Sequence, residues 1–409
     1  MHPIVLVLLD GLGDRAHTDF GGRTANEVAA TPNLDALAER GSCGLLHAVG
    51  PGRAPSSEVA HWSMLGYRPD EFPGRAVFEA LGRGQTVNED DVFAYAALRP
   101  AERRDDGWWL TGRPDPERDA DEVARLLARC DGIDVEGLTF ALEHVWRGEA
   151  VLRIRGGADE RVTDTDAFFR AWYPLLRPRP VVPEAARTAR ACEAWTREVM
   201  RRLAGERFNV ITLKWFGRPR RVPSFHERHG VTGAFLAEST FLRGLGRCLG
   251  LEAIDRSLDL AFVGERLGRG DTFVYVHDKR ADEAGHTKDP REKRRAIEEL
   301  DAELAPLVDL VDHAIVCVTG DHATPPAPDV IHSGDPVPLV VAGPGVRADA
   351  VSGFGEADCA AGILGFLRGP DLMPVLLNAA DRPLFLGSRP TPIDGADGYP
   401  AREVLEPLI

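Results

Sequence analysis

Ile4-Val-Leu-Val-Leu-Leu9, broken at once by Asp10-Gly-Leu-Gly-Asp14, is the stretch that decides the fold class. A continuous apolar run rich in branched side chains reads as a strand covered on both faces, as in a parallel sheet. Thr31-Pro32, then Asn33 to Arg40, then Gly41, predicts a helix with an N-cap, a first-turn proline and a glycine stop. Toward the other end, Thr272 to His277, His313 to Thr319 and Val337 to Ala342 read as further buried strands. A helix opening at Asp289-Pro290, with Ile297, Leu300, Leu304 and Leu307 at helical spacing, separates the first two of these strands. Strands alternating with helices, with polar residues at the strands' carboxyl ends, predict an α/β fold with a mainly parallel sheet flanked by helices.

The middle of the chain reads differently, with many arginines, short runs such as Val151 to Ile154, and a helix over Glu184 to Leu203. Gly82-Arg-Gly84 and Gly268-Arg-Gly-Asp271 are the expected hinges. The sequence therefore predicts a discontinuous core, 1–85 plus 268–409, and a smaller inserted α+β cap domain, 86–267. The length of 409 residues suits more than one domain, and 44% hydrophobic with 28% charged residues is ordinary for a globular chain. A net charge of −15 argues against a nucleic-acid partner, which needs a basic surface. The opening apolar run is too short to span a membrane and has no basic region before it, so neither anchor nor signal is expected. Six scattered cysteines suit reduced thiols and a cytoplasmic setting. Nothing in the sequence sets the oligomeric state.

Asp321-His322 follows the third of these strands, Asp10 follows the first, and Asp282-Glu-Ala-Gly-His286 follows the Thr272–His277 strand, with Gly285 suggesting a shaped loop rather than a helix. His332 lies just ahead of the last strand. Each alone is more simply a cap, a core histidine or a solvated charge. Three Asp and three His at one sheet edge suit divalent Zn²⁺ or Mn²⁺, and six ligands exceed what one catalytic ion takes from protein, so two ions are expected. Ser56 and Ser57, in Ala54-Pro-Ser-Ser-Glu-Val-Ala-His-Trp62, open a helical stretch and are the candidate nucleophiles. A serine hydroxyl needs a base or a metal to lose its proton, and no Gly-x-Ser-x-Gly elbow is present, which favours a metal. Position alone does not separate the two serines.

These segments, with Thr31-Pro-Asn-Leu-Asp35, Gly41-Ser-Cys-Gly-Leu-Leu46, Leu65-Gly-Tyr-Arg-Pro69, Lys279-Arg-Ala-Asp-Glu-Ala-Gly-His286, Asp321-His-Ala-Thr-Pro325 and His332-Ser-Gly-Asp-Pro-Val-Pro338, span the chain. Together they resemble the archaeal-type cofactor-independent phosphoglycerate mutases of the alkaline phosphatase superfamily. The resemblance implies an alkaline-phosphatase-like core and a small phosphorylated metabolite as substrate, with no 2,3-bisphosphoglycerate. It implies Ser57 as the nucleophile, with Asp10, Ser57, Asp321 and His322 on one ion and Asp282, His286 and His332 on the other. It also implies a phosphoryl contact for Lys279, and places His61 and Arg75 in matching segments.

The cap departs from the pattern. Ala94-Tyr-Ala-Ala-Leu-Arg99 and Trp108-Trp-Leu-Thr-Gly-Arg113 stand where the family carries arginine-rich segments, and Lys214-Trp-Phe-Gly217 where it carries Arg-Gly-x-Gly. Arginines are two-point clamps for carboxylate and phosphate, and Trp or Leu cannot replace them. His144, Arg147, Asp164, Asp166, Lys214 and Arg218 remain for an altered substrate site. The main expectation is thus a mutase-like phosphotransferase with an altered pocket, acting on a phosphorylated or phosphonate metabolite. A pocket that releases its intermediate would make it a phosphatase. The alternatives are an authentic mutase interconverting 2- and 3-phosphoglycerate, and a non-catalytic metal-binding relative, against which the complete ligand set speaks.

Overall fold

The computed structural model describes residues 1–167, 173–384 and 408. The chain divides into two compact units, Met1–Phe72 with Val222–Ile409, and Pro73–Arg221. The division falls elsewhere than at 85/86 and 267/268. Residues 222–267, assigned by composition to the insertion, supply two strands to the larger unit's sheet. Arg75 belongs to the insertion and not to the core.

The larger unit is built on eight strands: β1 (Ile4–Leu9), β2 (Gly41–His47), β3 (Gly233–Leu236), β4 (Glu252–Ile254), β5 (Phe273–Asp278), β6 (Ile315–Thr319), β7 (Val337–Ala342) and β8 (Gly365–Arg368). Their order across the sheet is β4-β3-β5-β1-β6-β7-β2-β8. Every residue of β1 is buried, as its uninterrupted apolar run requires. β1 lies parallel to β5 and β6, while β7 alone runs against its neighbours β6 and β2. That one reversal matters for the chemistry. In a wholly parallel sheet the segment before a strand lies at the amino edge. Because β7 is reversed, the segment entering it joins the carboxyl edge, where the segments leaving β1, β5 and β6 also end.

Four helices position the site: α1 (Pro32–Arg40), α2 (Ser57–Met64), α3 (Arg280–His286) and α4 (Pro290–Glu303). α4 starts at the expected proline, with Asp289 accepting from the Arg291 amide. Gly41 is not a left-handed stop for α1; it is extended and is already the first residue of β2.

The insertion has a five-stranded antiparallel sheet, ordered Val210–Gly217, Val92–Arg99, Glu149–Arg155, Leu138–Trp146, Ile133–Val135. Leu126 and Leu127 of the helix Ala120–Arg129, and Trp195 and Val199 of the helix Ala186–Arg202, share its hydrophobic core. A separate three-stranded sheet joins Ala101–Arg104, Gly107–Leu110 and Tyr173–Pro174. No helix among the described residues is long and apolar enough to cross a membrane. The six cysteines are free thiols.

His229, in the larger unit, is wholly buried with Nε2 2.9 Å from the Leu65 carbonyl oxygen, and burial pushes its pKa down to about 4. The folded protein therefore keeps this imidazole neutral where the unfolded chain would take up a proton. Its contribution to stability is complete above the ordinary value of 6.5 and is lost as pH falls toward 4. The loss should reach about 3 kcal/mol. Urea unfolding at stepped pH will show this slope, and His229→Gln, which keeps an amide donor but does not titrate, should flatten it.

Candidate active site

The carboxyl edge of the sheet gathers the acids and imidazoles singled out in the sequence. Asp10 and Asp321, leaving β1 and β6, are buried at 7% and 1% exposure, and His322 at 2%. His322 Nε2 lies 3.3 Å from Asp10 Oδ1 and 3.2 Å from Asp321 Oδ2. The Gly11 amide donates to Asp321 Oδ1 at 3.1 Å, which ties the end of β6 to the end of β1. Asp282 and His286 sit one turn apart on α3, with His286 Nε2 3.3 Å from Asp282 Oδ1. The sequence had suggested a loop for this pair, on account of Gly285. The helix is continuous, and the glycine has another cause: a Cβ there would overlap the Thr324 carbonyl oxygen. His332 enters along the segment before the reversed β7, its Nε2 3.6 Å from Asp282 Oδ1 and its Nδ1 bonded to the Pro55 carbonyl at 2.9 Å.

Two groups result, Asp10 with Asp321 and His322, and Asp282 with His322 and His332. Within each group, one ligand atom per residue lies within 4.8 Å of the others. His322 stands in both. The carboxyl oxygens Asp10 Oδ1 and Asp321 Oδ2 are buried without a hydrogen-bond partner. A buried carboxylate oxygen without a donor is costly, and a divalent cation supplies the missing partner. Burial, then the charges of Asp321 and Asp282, hold the Asp10 carboxyl well above its usual range. Burial also opposes ionisation of Asp321 and Asp282, but the imidazoles around them outweigh it and both are held low. Burial pushes His322 down to about 4, so it is an unprotonated nitrogen donor at neutral pH. Oxygen and imidazole donors, with two unmatched buried oxygens in the Asp10–Asp321–His322 group, fit divalent metal binding.

The two serines have different surroundings. Ser56 caps α2, and its hydroxyl donates to Glu58 Oε1 at 2.8 Å. Ser57 Oγ is 3.2 Å from His322 Nε2, beside the acids. His61, one turn along α2, is wholly buried; its Nδ1 is 2.6 Å from the Ser57 carbonyl oxygen and 3.7 Å from Asp321 Oδ2. It therefore lies behind Ser57, where it orients the serine's backbone, and not on a face open to substrate. Lys279 starts α3, half exposed, paired with Glu283 Oε1 at 2.5 Å.

Three residues that the sequence reading passed over belong to this centre. His277, near the end of β5, sets Nε2 3.1 Å from Asp10 Oδ2. Lys293, fully buried on α4, donates to the carbonyls of Gly11, Gly13 and Thr324 at 2.9, 2.6 and 2.9 Å. Thr324 lies two residues beyond His322 and bonds to it. A histidine inside an otherwise apolar strand was the available signal for His277. Lys293 falls four and seven residues before Ile297 and Leu300, on the apolar stripe of its helix, and a lysine in that stripe was its signal.

In the insertion, Arg75 and Lys214 flank Trp215, with the guanidinium 4.4 Å and the ammonium 4.3 Å from its ring centroid. Burial pushes the Lys214 pKa down to about 8. His144 and Arg147 meet at a hairpin tip, where His144 Nε2 is 2.7 Å from the Arg147 carbonyl and the guanidinium stacks on Trp146. Asp164 accepts from the Trp215 amide at 2.9 Å, Asp166 from Thr212, and Arg218 pairs with Glu160. The aromatics of Trp108-Trp109-Leu110 have partners within the insertion. Trp108 packs on the Ala101, Leu110 and Val210 cluster, and Trp109 Nε1 donates to Asp106 at 2.8 Å.

Residues 38–209 match the model of the 2,3-bisphosphoglycerate-independent phosphoglycerate mutases, and residues 265–379 that of the metalloenzyme superfamily. The 2,3-bisphosphoglycerate-independent phosphoglycerate mutase 2 of Methanocaldococcus jannaschii is 33% identical, with 94% of this chain and 95% of that protein covered. The corresponding mutase of Methanoculleus marisnigri is 35% identical, over 93% of this chain and 97% of its own length. Among solved structures, the cofactor-independent phosphoglycerate mutase of Thermoplasma acidophilum superposes with a TM-score of 0.64 at 30% identity, covering 93% of this chain and 100% of that one. A Pyrococcus horikoshii protein superposes with a TM-score of 0.78 at 27% identity, covering 95% and 99%. Fold, metal-ligand geometry and full-length likeness agree: the chain belongs to the 2,3-bisphosphoglycerate-independent phosphoglycerate mutase family, metal-dependent phosphotransferases of the alkaline phosphatase superfamily.

Proposed function

We propose that this protein interconverts 2- and 3-phosphoglycerate through a phosphoserine on Ser57, using two Mn²⁺ or Zn²⁺ ions and no 2,3-bisphosphoglycerate. The observation that carries the proposal is the Ser57 hydroxyl, 3.2 Å from His322 Nε2, beside two unmatched carboxylate oxygens in a chain alike end to end to named mutases. This is the alternative that the sequence raised, and it now stands ahead of the altered-substrate reading. Trp108 packs on Ala101, Leu110 and Val210 and Trp109 donates to Asp106, so these aromatics have structural partners and weigh less as evidence for a remodelled pocket.

Asp10, Asp321, His322 and Ser57 would hold one ion, and Asp282, His286 and His332 the other. When bound, such ions lower the pKa of a serine hydroxyl and neutralise charge on a transferring phosphoryl group. His61 fixes the Ser57 backbone, and the start of α2 sets the hydroxyl facing His322. Ser57 Oγ forms the new P–O bond as the glycerate oxygen leaves. The other glycerate hydroxyl then attacks the phosphoserine, and the net result is isomerisation. Lys279 is assigned to the phosphoryl oxygens, which requires it to leave Glu283. Within the insertion, Arg75 and Lys214, which flank Trp215, and His144 and Arg147 are the candidate substrate-binding residues.

Supplied with 3-phosphoglycerate and Mn²⁺ or Zn²⁺, the enzyme should form 2-phosphoglycerate with little free phosphate. Phosphate release without isomer would instead make it a phosphatase. Chelation should abolish turnover, and added metal should restore it. Ser57→Ala should lower turnover by at least about 10³-fold with ions still bound, whereas Ser56→Ala should stay within about threefold of wild type. Equal losses in the two variants would contradict the assignment of Ser57.

A further inference from the structure

The carboxyl edge holds one polar side chain that reaches both ligand groups without belonging to either. Thr324 is wholly buried. Its Oγ1 lies 3.1 Å from His322 Nδ1 and donates to Asp282 Oδ1 at 2.7 Å. Asp282 reaches this point from α3 after β5, and His322 from the segment after β6, so the hydroxyl joins two separate parts of the sheet edge.

Hydrogen-bond chemistry fixes the direction of this short chain. A ligand nitrogen must be bare, so a neutral His322 that offers Nε2 to an ion carries its proton on Nδ1. That N–H donates to Thr324 Oγ1, which leaves the threonine's own proton for Asp282. The chain runs His322, Thr324, Asp282, with the imidazole N–H and the hydroxyl each donating once. Outer partners of this kind set ring orientation and ligand basicity in metal sites.

The threonine is itself held from three sides. Its amide donates to the Gly13 carbonyl at 3.0 Å, and its carbonyl accepts from Lys293, which also grips Gly11 and Gly13. Gly11, with φ of +67°, gives it room: a Cβ there would stand 2.6 Å from Thr324 Oγ1. The position of the hydroxyl is therefore set by the same loop that delivers Asp10.

We propose that Thr324 is a positioning residue that couples the two metal sites, one hydroxyl orienting His322 for the first ion and Asp282 for the second. The inference rests on the two-metal reading above. Removal of the hydroxyl strands a buried Nδ1–H and takes a donor from Asp282, so both sites should suffer together.

The test is calorimetric titration of the metal-stripped full chain with Mn²⁺, well below its melting temperature, for wild type, Thr324→Ser and Thr324→Val. Wild type should take two ions, Ser should bind within about threefold of wild type, and Val should weaken both ions by about 10- to 100-fold. The spin–spin signature of a dinuclear Mn²⁺ pair should persist in Ser and fade in Val at equal metal loading. Should Val not fold, Thr324→Ala carries the same expectation. Wild-type affinities in Val, weakening of one ion only, or an equal loss in Ser would each overturn the coupling while leaving the metal reading intact. A wild type that binds no ion would overturn the two-metal reading, and this inference with it.

Discussion

Mutual repulsion among Asp10, Asp282 and Asp321 is the constraint around which the larger unit is arranged. Burial removes water, their usual partner, and what replaces it is a set of imidazoles, the Gly11 amide and the Thr324 hydroxyl. This replacement is incomplete, since two carboxylate oxygens remain unmatched. A chain that evolved only for stability would not concentrate acids at one buried edge, because an apolar substitute of equal volume is as stable or more so. The arrangement makes physical sense for a protein that completes itself with cations. Lys293 does not neutralise this cluster directly. It spends its three donors on backbone carbonyls, so its effect is to lock the segments that carry Asp10 and His322 into one body.

Much of this was legible in the sequence, for definite physical reasons. A strand buried on both faces has no freedom to hide its apolar run, so β1 and β7 could be read residue by residue. The ligands of a metal site are limited to a few residue types, so Asp10, Asp282, Asp321 and the three histidines stood out even when scattered. What could not be read was anything decided by close approach in space. Gly285 looked like a loop glycine because its actual reason, the Thr324 carbonyl pressed against α3, lies 39 positions away in the chain. The choice between Ser56 and Ser57 needed the position of His322. Lys293 shares the apolar stripe of its helix with Ile297 and Leu300, but the three carbonyls its ammonium grips come from distant segments and only the fold shows them.

The insertion shows a complementary limit. Its boundary was placed by composition, yet Gly233–Leu236 and Glu252–Ile254 extend the larger unit's sheet. Short strands at a sheet's margin bury few residues and carry weak sequence patterns. Trp108 and Trp109 stand where arginine clamps were expected, and each has a packing or hydrogen-bond partner within the insertion.

The pairing of β1 has a consequence for how the protein is made. Ile4 is matched with Phe273 on one side and Ile315 on the other. During synthesis β1 must therefore wait, apolar and without these neighbours, until the segments carrying Phe273 and Ile315, about 270 to 310 residues further on, have been made. Such high contact order slows folding and leaves a sticky segment open to aggregation. The insertion draws its contacts from a single continuous stretch and has no such delay. Its early folding would leave the nascent larger unit as the species most dependent on chaperones.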